Sequence, residues 1–483
     1  MISDAKQTKV MNRFFEKDLS RREVLKYGLY GGLAAGISGS LFLEGCELQR
    51  YVKRPNIFLI TVDTLRADHL GCYGYPKDTS PNIDRFASNA LLFENCFSNA
   101  SETWSSCASI LSGFLPHETK AIERLSLPMG VEILPIILKR LGYKTVGVVS
   151  NYLLRKKSGW AQGFTIFDDS LEDREVVRDW PERIAEHTTD RAIELIEQFH
   201  EEQLFMWIHY QDPHGPYTPP DGFVGQFRNP SQKPFYLDVN KSLSGFGGIP
   251  SYQRLEENRD FYYYVSRYDG EIRYQDEHFK RLTDCLDRFG LFKDAMIIFT
   301  SDHGEAMGGH NYYFSHGENL YNSVTHVPLI IKYGSKPAGR RADFVQHIDI
   351  VPTILKMLDL KTDLSFRGRD LLRRSGGESE IFAEVKSLLV KDEVRFSIIM
   401  DGFKLIHTPK FEKTELFDLR TDPDEHHDLI AVEKHRDRVK DLQIRLARLR
   451  GEDLLQLSLN EKPQKLTDEE MEKLKSLGYV FDP

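Results

Sequence analysis

Two hydrophobic rhythms alternate along the chain. Ile57–Val62 (IFLITV) is an unbroken run of apolar and β-branched residues, which suits a strand covered on both faces in a parallel sheet. The pattern returns at Leu204–Ile208, at Met296–Thr300, around Val146 in TVGVVSN and around Ile330 in HVPLIIK. Between these runs, VEILPIILKRLG and TTDRAIELIEQFHEE place apolar residues at every third or fourth position, the spacing of an amphipathic helix. Strands alternating with helices predict an α/β fold: a doubly wound, mixed but mostly parallel sheet flanked by helices.

Ligands of such sheets sit beyond the carboxyl ends of the strands. That is where the chain places its ionisable residues. Asp63 follows the first strand, Asp212 and His214 follow the strand at Leu204, and Asp302 and His303 follow the strand at Met296. One Asp after a strand is most often a helix N-cap. Three strand ends carrying Asp, two of them with His, point instead to a common site.

The large domain is expected over residues 54–372, where a polar RRSGGESE stretch breaks the pattern. A smaller α+β subdomain follows over 380–483, with short strands in EVRFSIIMDGFKLIHT and ELFDLRTDP and a charged helix from His435 to Arg450. Its alternating charges fit a packing helix better than a nucleic-acid binder. Asp221 to Asp260, rich in Pro, Gly and aromatics, has no clear period, and both a lid and a packed surface loop fit it.

Composition narrows the function. The 483 residues are 40% hydrophobic and 28% charged, an ordinary balance for a globular chain with a sizeable core. A net charge of -9 argues against nucleic acid, whose phosphates demand a basic face. The five cysteines form no CxxC pair, so neither structural zinc nor a disulfide framework is expected. Cys72, Cys96 and Cys285 read as small buried side chains.

Residues 1–46 read as an address. Arg21 and Arg22 in SRREVLK precede a Gly- and Ala-rich apolar run from Tyr27 to Leu43, the pattern of a twin-arginine export signal. A membrane anchor is the competing reading, but the run is short for a span. LFLEGC puts Leu43 and Gly45 where a lipoprotein cleavage box has them, with Glu44 a departure, so Cys46 is a candidate lipid anchor. The expected location is the periplasm or cell envelope, and the only expected membrane contact is through the signal or the lipid.

Several ordered motifs resemble the sulfatase family of the alkaline phosphatase superfamily. They are NIFLITVDTLRADHLGCYGYPKDTSPNIDRFA, ASILSGFLPH, GYKTVGVVSN, DPHGPY, SDHGEAMGGHNYYFSHGENLY with HVPLIIK, DGFKLIHTPKFEKTELFDLRTDPDE and the tail KLKSLGYV. The resemblance implies that Asp63, Asp302 and His303 bind one divalent metal ion, with an oxygen of the nucleophile as a further ligand. Two carboxylates and an imidazole favour Zn²⁺ or Mn²⁺, with Ca²⁺ also open. Thr64 stands where many calcium-type members have a second Asp.

The family's CxPxR motif, counted back from ASILSG, falls on Thr103, Trp104, Ser105, Ser106 and Cys107. Thr103 therefore takes the place of the cysteine that becomes formylglycine, and no formylglycine is expected. A threonine hydroxyl is a competent nucleophile once its proton is removed. His214 and His316 fall where family members contact substrate, and imidazoles suit proton donation to a leaving oxygen. Asn151 and Asp212 are the expected substrate contacts, since VSNY replaces a lysine-bearing GKWH. Arg66 and Lys144 are candidate cations to compensate for the lost lysine and arginine. His209 and His310 have no matching role.

The resemblance thus implies an exported, metal-dependent hydrolase of a sulfate or phosphate ester, acting on a small anionic ester or an envelope glycan or lipid. A phosphoethanolamine-type transferase and a non-catalytic binding protein are the alternatives. The chemistry of Thr103 favours phosphodiester or phosphonate esters over sulfate esters.

Overall fold

All five apolar runs enter one eight-stranded sheet of the computed structural model, which describes residues 54–334, 336–373 and 379–451. The twin-arginine motif, Cys46 and the KLKSLGYV tail lie outside the described residues. The strands are β1 (Ile57–Val62), β2 (Leu91–Phe97), β3 (Lys144–Val149), β4 (Ile166–Asp168), β5 (Leu204–Tyr210), β6 (Met296–Ser301), β7 (His326–Tyr333) and β8 (Gly339–Gln346). Their order is β8-β2-β7-β6-β1-β5-β3-β4. Only β7 runs against its neighbours, pairing antiparallel with β6 and β2; the other adjacent pairs are parallel. The sheet is therefore mixed and mostly parallel.

The central strands are apolar because both faces are covered. Every residue of β1, β5 and β6 is buried. Alternate residues feed two cores: Ile57, Leu59, Phe205, Trp207, Met296 and Ile298 join one, while Phe58, Ile60, Met206, Ile208, Ile297 and Phe299 join the other. This is the two-residue period of a strand acting between two helical layers.

Three helices of the layers matter for the site: α1 (Thr103–Ser112), α2 (Leu134–Arg140) and α3 (Ala185–Phe199). The apolar pattern predicted α2 from residue 131, but Pro135 sits in its first turn and fixes the start near Leu134. In α3, Ala185, Thr188, Thr189, Ala192, Leu195 and Ile196 are buried, the stripe expected from the sequence. A long helix, α4 (Phe261–Arg288), packs beside α3 on the same face and starts under an Asp260 cap that accepts the Tyr262 N–H.

The smaller unit is an antiparallel sheet of β9 (Ile381–Lys386), β10 (Val394–Met400), β11 (Phe403–Thr408) and β12 (Lys413–Asp418). Its helix α5 (Arg436–Arg450) buries Leu442, Leu446 and Leu449 against Phe396, Ile398, Leu405 and Leu416, and so is a packing helix. The other sheet face meets the large domain through Ile399, Ile406 and Phe417 beside Phe97 and Tyr321. The 221–260 insertion forms short turns and a two-residue pairing, Asp238–Val239 with Gly248–Ile249. It packs onto the 312–316 loop, where Tyr252 Oη and Gln253 Nε2 both donate to the Phe314 carbonyl. Among the described residues, no helix is long and apolar enough to cross a membrane.

Candidate active site

Strand register assembles the site. Val62 of β1 pairs with Ser301 of β6, so the next residues, Asp63 and Asp302, leave the sheet side by side. Val149 of β3 pairs with His209 of β5, which brings Asn151 and the Asp212–His214 turn to the same edge. α1 then closes the site from the β2 side. All ten of its residues are buried, and its serines let it lie close to the sheet. Ser106 Oγ donates to the Asp302 carbonyl at 2.5 Å. Gly113 ends the helix in a left-handed conformation with φ 76°, and a Cβ there would meet the Val351 Cβ at 3.0 Å.

Asp63, Asp302 and His303 converge, each fully buried, with their ligand atoms within 4.8 Å of one another. His303 Nε2 lies 3.7 Å from Asp63 Oδ1 and 3.8 Å from Asp302 Oδ2. Each side chain is held by its other atom. Asp63 Oδ2 accepts the Asn151 Nδ2 amide at 2.7 Å, and Asp302 Oδ1 accepts the backbone N–H groups of Thr64 and His303 at 3.2 and 2.8 Å. The Gly304 carbonyl lies 3.0 Å from His303 Nδ1, which fixes the proton there and leaves the Nε2 lone pair for the cluster. Among the described residues, Asp63 Oδ1 and Asp302 Oδ2 have no hydrogen-bond partner.

These orphaned oxygens test the fit of a cation. Burial, and next the Asp302 charge, push the Asp63 carboxyl well above its ordinary range, against the Asn151 hydrogen bond. Burial also opposes ionisation of Asp302, but His303 and His209 hold it below the usual carboxylate range. Two dry carboxylates facing each other cannot both ionise without a counter-charge. Two carboxylate oxygens, a directed imidazole nitrogen and a hydroxyl suit a divalent ion.

Thr103 supplies the hydroxyl: its Oγ1 lies 3.3 Å from His303 Nε2. It is the first residue of α1, with Glu102 as an N-cap whose side chain makes no cap bond. No side chain caps the N–H groups of that turn, and uncapped N–H groups at a helix start suit an anion. Thr64 adopts φ +55°, unusual for a β-branched residue, and is clamped by Tyr268 Oη donating to its carbonyl at 2.7 Å. The strained turn aims its N–H at Asp302.

Two further histidines stand over the cluster. The His316 ring is 4.4 Å from the His303 ring and 5.2 Å from the His214 ring, centroid to centroid. Burial, followed by the charges of His316 and Arg178, holds the His214 imidazole well below its ordinary range, so it is neutral. His316 Nδ1 lies 3.1 Å from Glu305 Oε1, and Tyr217 Oη donates to Glu305 Oε2 at 3.0 Å. Sequence reasoning gave Glu305 no role; its only signal was its place two residues beyond His303.

Three expectations need correction. Asp212 is buried but lies outside the Asp63, Asp302 and His303 group, and burial is the main cause that raises its carboxyl and that of Glu271 in α4 above their ordinary range. Lys144 begins β3, at the opposite end of the sheet from the site, and pairs with Glu202 at 3.3 Å. Arg66 is committed to Asp68 and to the Glu305 carbonyl. Asn151 is at the site, but in this structure its amide orders Asp63. His209, given no role, faces Asp302 Oδ2 at 3.6 Å, and together with Cys107 it forms a second buried set around that oxygen. Cys96, Cys107 and Cys285 are buried free thiols, and Cys72 is partly exposed.

The family model for sulfatases matches residues 55–360, and the model for the C-terminal region of N-sulphoglucosamine sulphohydrolase matches residues 308–452. The chain belongs to the sulfatase family. This sulfatase-family protein is 25% identical over 431 residues to the uncharacterized sulfatase YidJ of Escherichia coli K12, covering 78% of this chain and 84% of that one. Its fold is similar to that of BT4656 in complex with its substrate D-glucosamine-2-N,6-O-disulfate, with TM-score 0.69, 19% identity, and coverage of 85% and 99%. It is also similar to the phosphonate monoester hydrolase of Agrobacterium radiobacter, with TM-score 0.66, 20% identity, and coverage of 82% and 96%. Relatives of this kind hydrolyse ester bonds, and this family member is an ester-bond hydrolase.

Proposed function

We propose that this sulfatase-family hydrolase uses Thr103 as its nucleophile, and that its preferred substrates are phosphodiesters or phosphonate esters. The observation that carries this reading is the 3.3 Å approach of Thr103 Oγ1 to His303 Nε2, at the uncapped start of α1. Asp63 Oδ1, Asp302 Oδ2, His303 Nε2 and Thr103 Oγ1 would hold one divalent ion, with Zn²⁺ or Mn²⁺ the best match to the donors. When bound, such an ion would lower the pKa of the Thr103 hydroxyl and screen the negative charge of the ester.

The chain's own residues do the rest. Thr103 Oγ gives up its proton to solvent and bonds to phosphorus as the bond to the leaving oxygen breaks, and the N–H groups of the first α1 turn hold the non-bridging oxygens. His316, with Glu305 at its Nδ1, is the histidine equipped to carry a proton and deliver it to the leaving oxygen. His214, held neutral, orients that oxygen by hydrogen bonding. Water then attacks phosphorus and gives a proton to His316, the Thr103 ester bond breaks, and Thr103 Oγ takes up a proton from solvent to regenerate the hydroxyl. Formylglycine releases sulfate by collapsing to its aldehyde. A threonine ester has no such exit, so an ester that water can displace at phosphorus suits Thr103 better than a sulfate ester.

Arg21 and Arg22 support export of this enzyme to the periplasm or cell envelope, with Cys46 the candidate lipid anchor. The deciding experiment measures the metal content of the pure enzyme and compares kcat/KM on an aryl phosphodiester, an aryl phosphonate ester and an aryl sulfate. Higher turnover of the phosphorus esters, abolished in Thr103→Ala, supports the reading. Faster sulfate hydrolysis, or activity retained in Thr103→Ala, rejects it.

A further inference from the structure

A second group of ligand-type side chains meets at Asp302, and ester cleavage at Thr103 uses neither of its other two members. Cys107, His209 and Asp302 are fully buried, and their ligand atoms lie within 4.8 Å of one another. Asp302 Oδ2 is 3.6 Å from His209 Nε2 and 3.8 Å from His303 Nε2. One carboxylate oxygen therefore serves both groups.

Local geometry explains how this group forms. Strand alternation carries His209 to the same face of β5 as Phe205 and Trp207, which share a core with Trp104 and Cys107 of α1. Cys107 lies one turn beyond Thr103, so thiol and hydroxyl share a face of that helix. The His209 ring meets Trp207 edge to face at 6.1 Å, and among the described residues neither of its nitrogens has a hydrogen-bond partner. Buried polar atoms are costly to leave idle. An imidazole with no partner, an orphaned carboxylate oxygen and a free thiol are the donor set of a zinc-type ion.

We propose that Cys107 Sγ, His209 Nε2 and Asp302 Oδ2 hold a second divalent ion of the zinc type, with the Asp302 oxygen bridging it to the ion of the Thr103 site. The second ion goes beyond the ester reading and shares only Asp302 with it. On binding, the thiol releases its proton to solvent and the thiolate becomes the ligand. Two divalent ions set against two carboxylates and one thiolate leave one positive charge over. That charge falls at the position where the family motif has its arginine and this chain has Cys107. The ion also ties α1, which carries Thr103, to β5 and to the turn after β6.

The test loads chelator-treated full-length protein with Zn²⁺, Co²⁺ or Mn²⁺, removes unbound ion and counts metal per chain by mass spectrometry. Sulfur selects against Mn²⁺, so Zn²⁺ and Co²⁺ should each reach about two per chain and Mn²⁺ about one. The cobalt protein should show sulfur-to-metal charge-transfer absorption. Cys107→Ser and His209→Gln should each lower Zn²⁺ to about one per chain, and Cys107→Ser should also remove the sulfur band. Asp63→Asn should keep that band, because it alters the first site only. Cys72→Ser, at the partly exposed thiol, should change neither count nor band.

A single Zn²⁺ per chain overturns the second site, with or without a sulfur band. Without the band, His209 is only a hydrogen-bond donor to Asp302; with it, the lone ion sits at Cys107. Equal loading by Mn²⁺ and Zn²⁺, or a second Zn²⁺ that survives both Cys107→Ser and His209→Gln, overturns it as well. Should a variant fail to fold, the count and the cobalt spectrum of the unaltered protein decide. Neither depends on turnover, so failure of the ester reading would leave this result standing on its own.

Discussion

Thr103 Oγ1 sits 3.3 Å from His303 Nε2 although 200 positions separate the two residues in sequence. A hydroxyl at that distance from a nitrogen with a free lone pair is placed for chemistry, since helix capping would not require His303. Thr103→Ala is expected to lower kcat by about 10³-fold or more, with a change in unfolding free energy below about 1 kcal/mol. Thr103→Ser should retain activity within roughly tenfold, as it keeps the oxygen. Steady-state kinetics beside thermal unfolding separate the two effects.

Asn151 is tied to both Asp63 and its own turn, donating to Asp63 Oδ2 at 2.7 Å and accepting the Leu153 N–H at 2.8 Å. Asn151→Leu keeps the volume and removes both bonds. Affinity for added Zn²⁺ or Mn²⁺ should fall about 10–100-fold, the usual effect of losing a group that orients a ligand. Titration calorimetry on chelator-treated protein reads this directly.

Removal of a divalent ion should destabilise the fold, because Asp63 and Asp302 would again face each other without a counter-charge. A chelator is expected to lower the melting temperature, and Zn²⁺ or Mn²⁺ to restore it. An ion present at 100 times its Kd adds about 2.7 kcal/mol. Asp302→Asn should abolish the ion-dependent shift, whether or not the variant is active.

Asp212 and Glu271 are both buried carboxyls, and the Asp212 charge opposes ionisation of Glu271. Burial is the main reason their values rise, Asp212 to about 6 from 3.8 and Glu271 well above 4.5, with Glu182 and Asp173 adding repulsion and the Ala185 and Thr218 backbones opposing. The folded state thus binds more protons than the unfolded state. The stability this contributes is complete below about pH 4 and is lost as pH rises through 6. Glu271→Gln should flatten that part of the profile by about 1–3 kcal/mol, measured by urea unfolding between pH 4.5 and 8.

Arg21 and Arg22 form the proposed export signal. Changing both to Lys should retain precursor in the cytoplasm, scored by cell fractionation with an antibody to the mature chain. Normal export of the double variant would reject the twin-arginine assignment.

Sequence alone determined five of the eight strands of the large sheet and the ionisable residues at the ends of three of them, because a strand buried on both faces must be apolar and a residue just past it must leave the sheet. The resemblance of its motifs to the sulfatase family implied that Asp63, Asp302 and His303 meet, and the folded chain brings their ligand atoms within 4.8 Å of one another. Sequence misjudged strand lengths only slightly: β5 continues from Ile208 to Tyr210 because its last residues are covered as well. What it could not decide was direction. Whether Asp212 joined the cluster or lay outside it, whether Lys144 stood at the site or at the far end of β3, and whether Asn151 touched substrate or held Asp63 all depended on strand register and on which helix lay opposite. Those are contacts between segments far apart in sequence, and no local pattern encodes them. Glu305 shows the same limit from the other side. Its neighbours His316 and Tyr217 come from different loops, so only the folded chain turns that glutamate into the partner of a histidine.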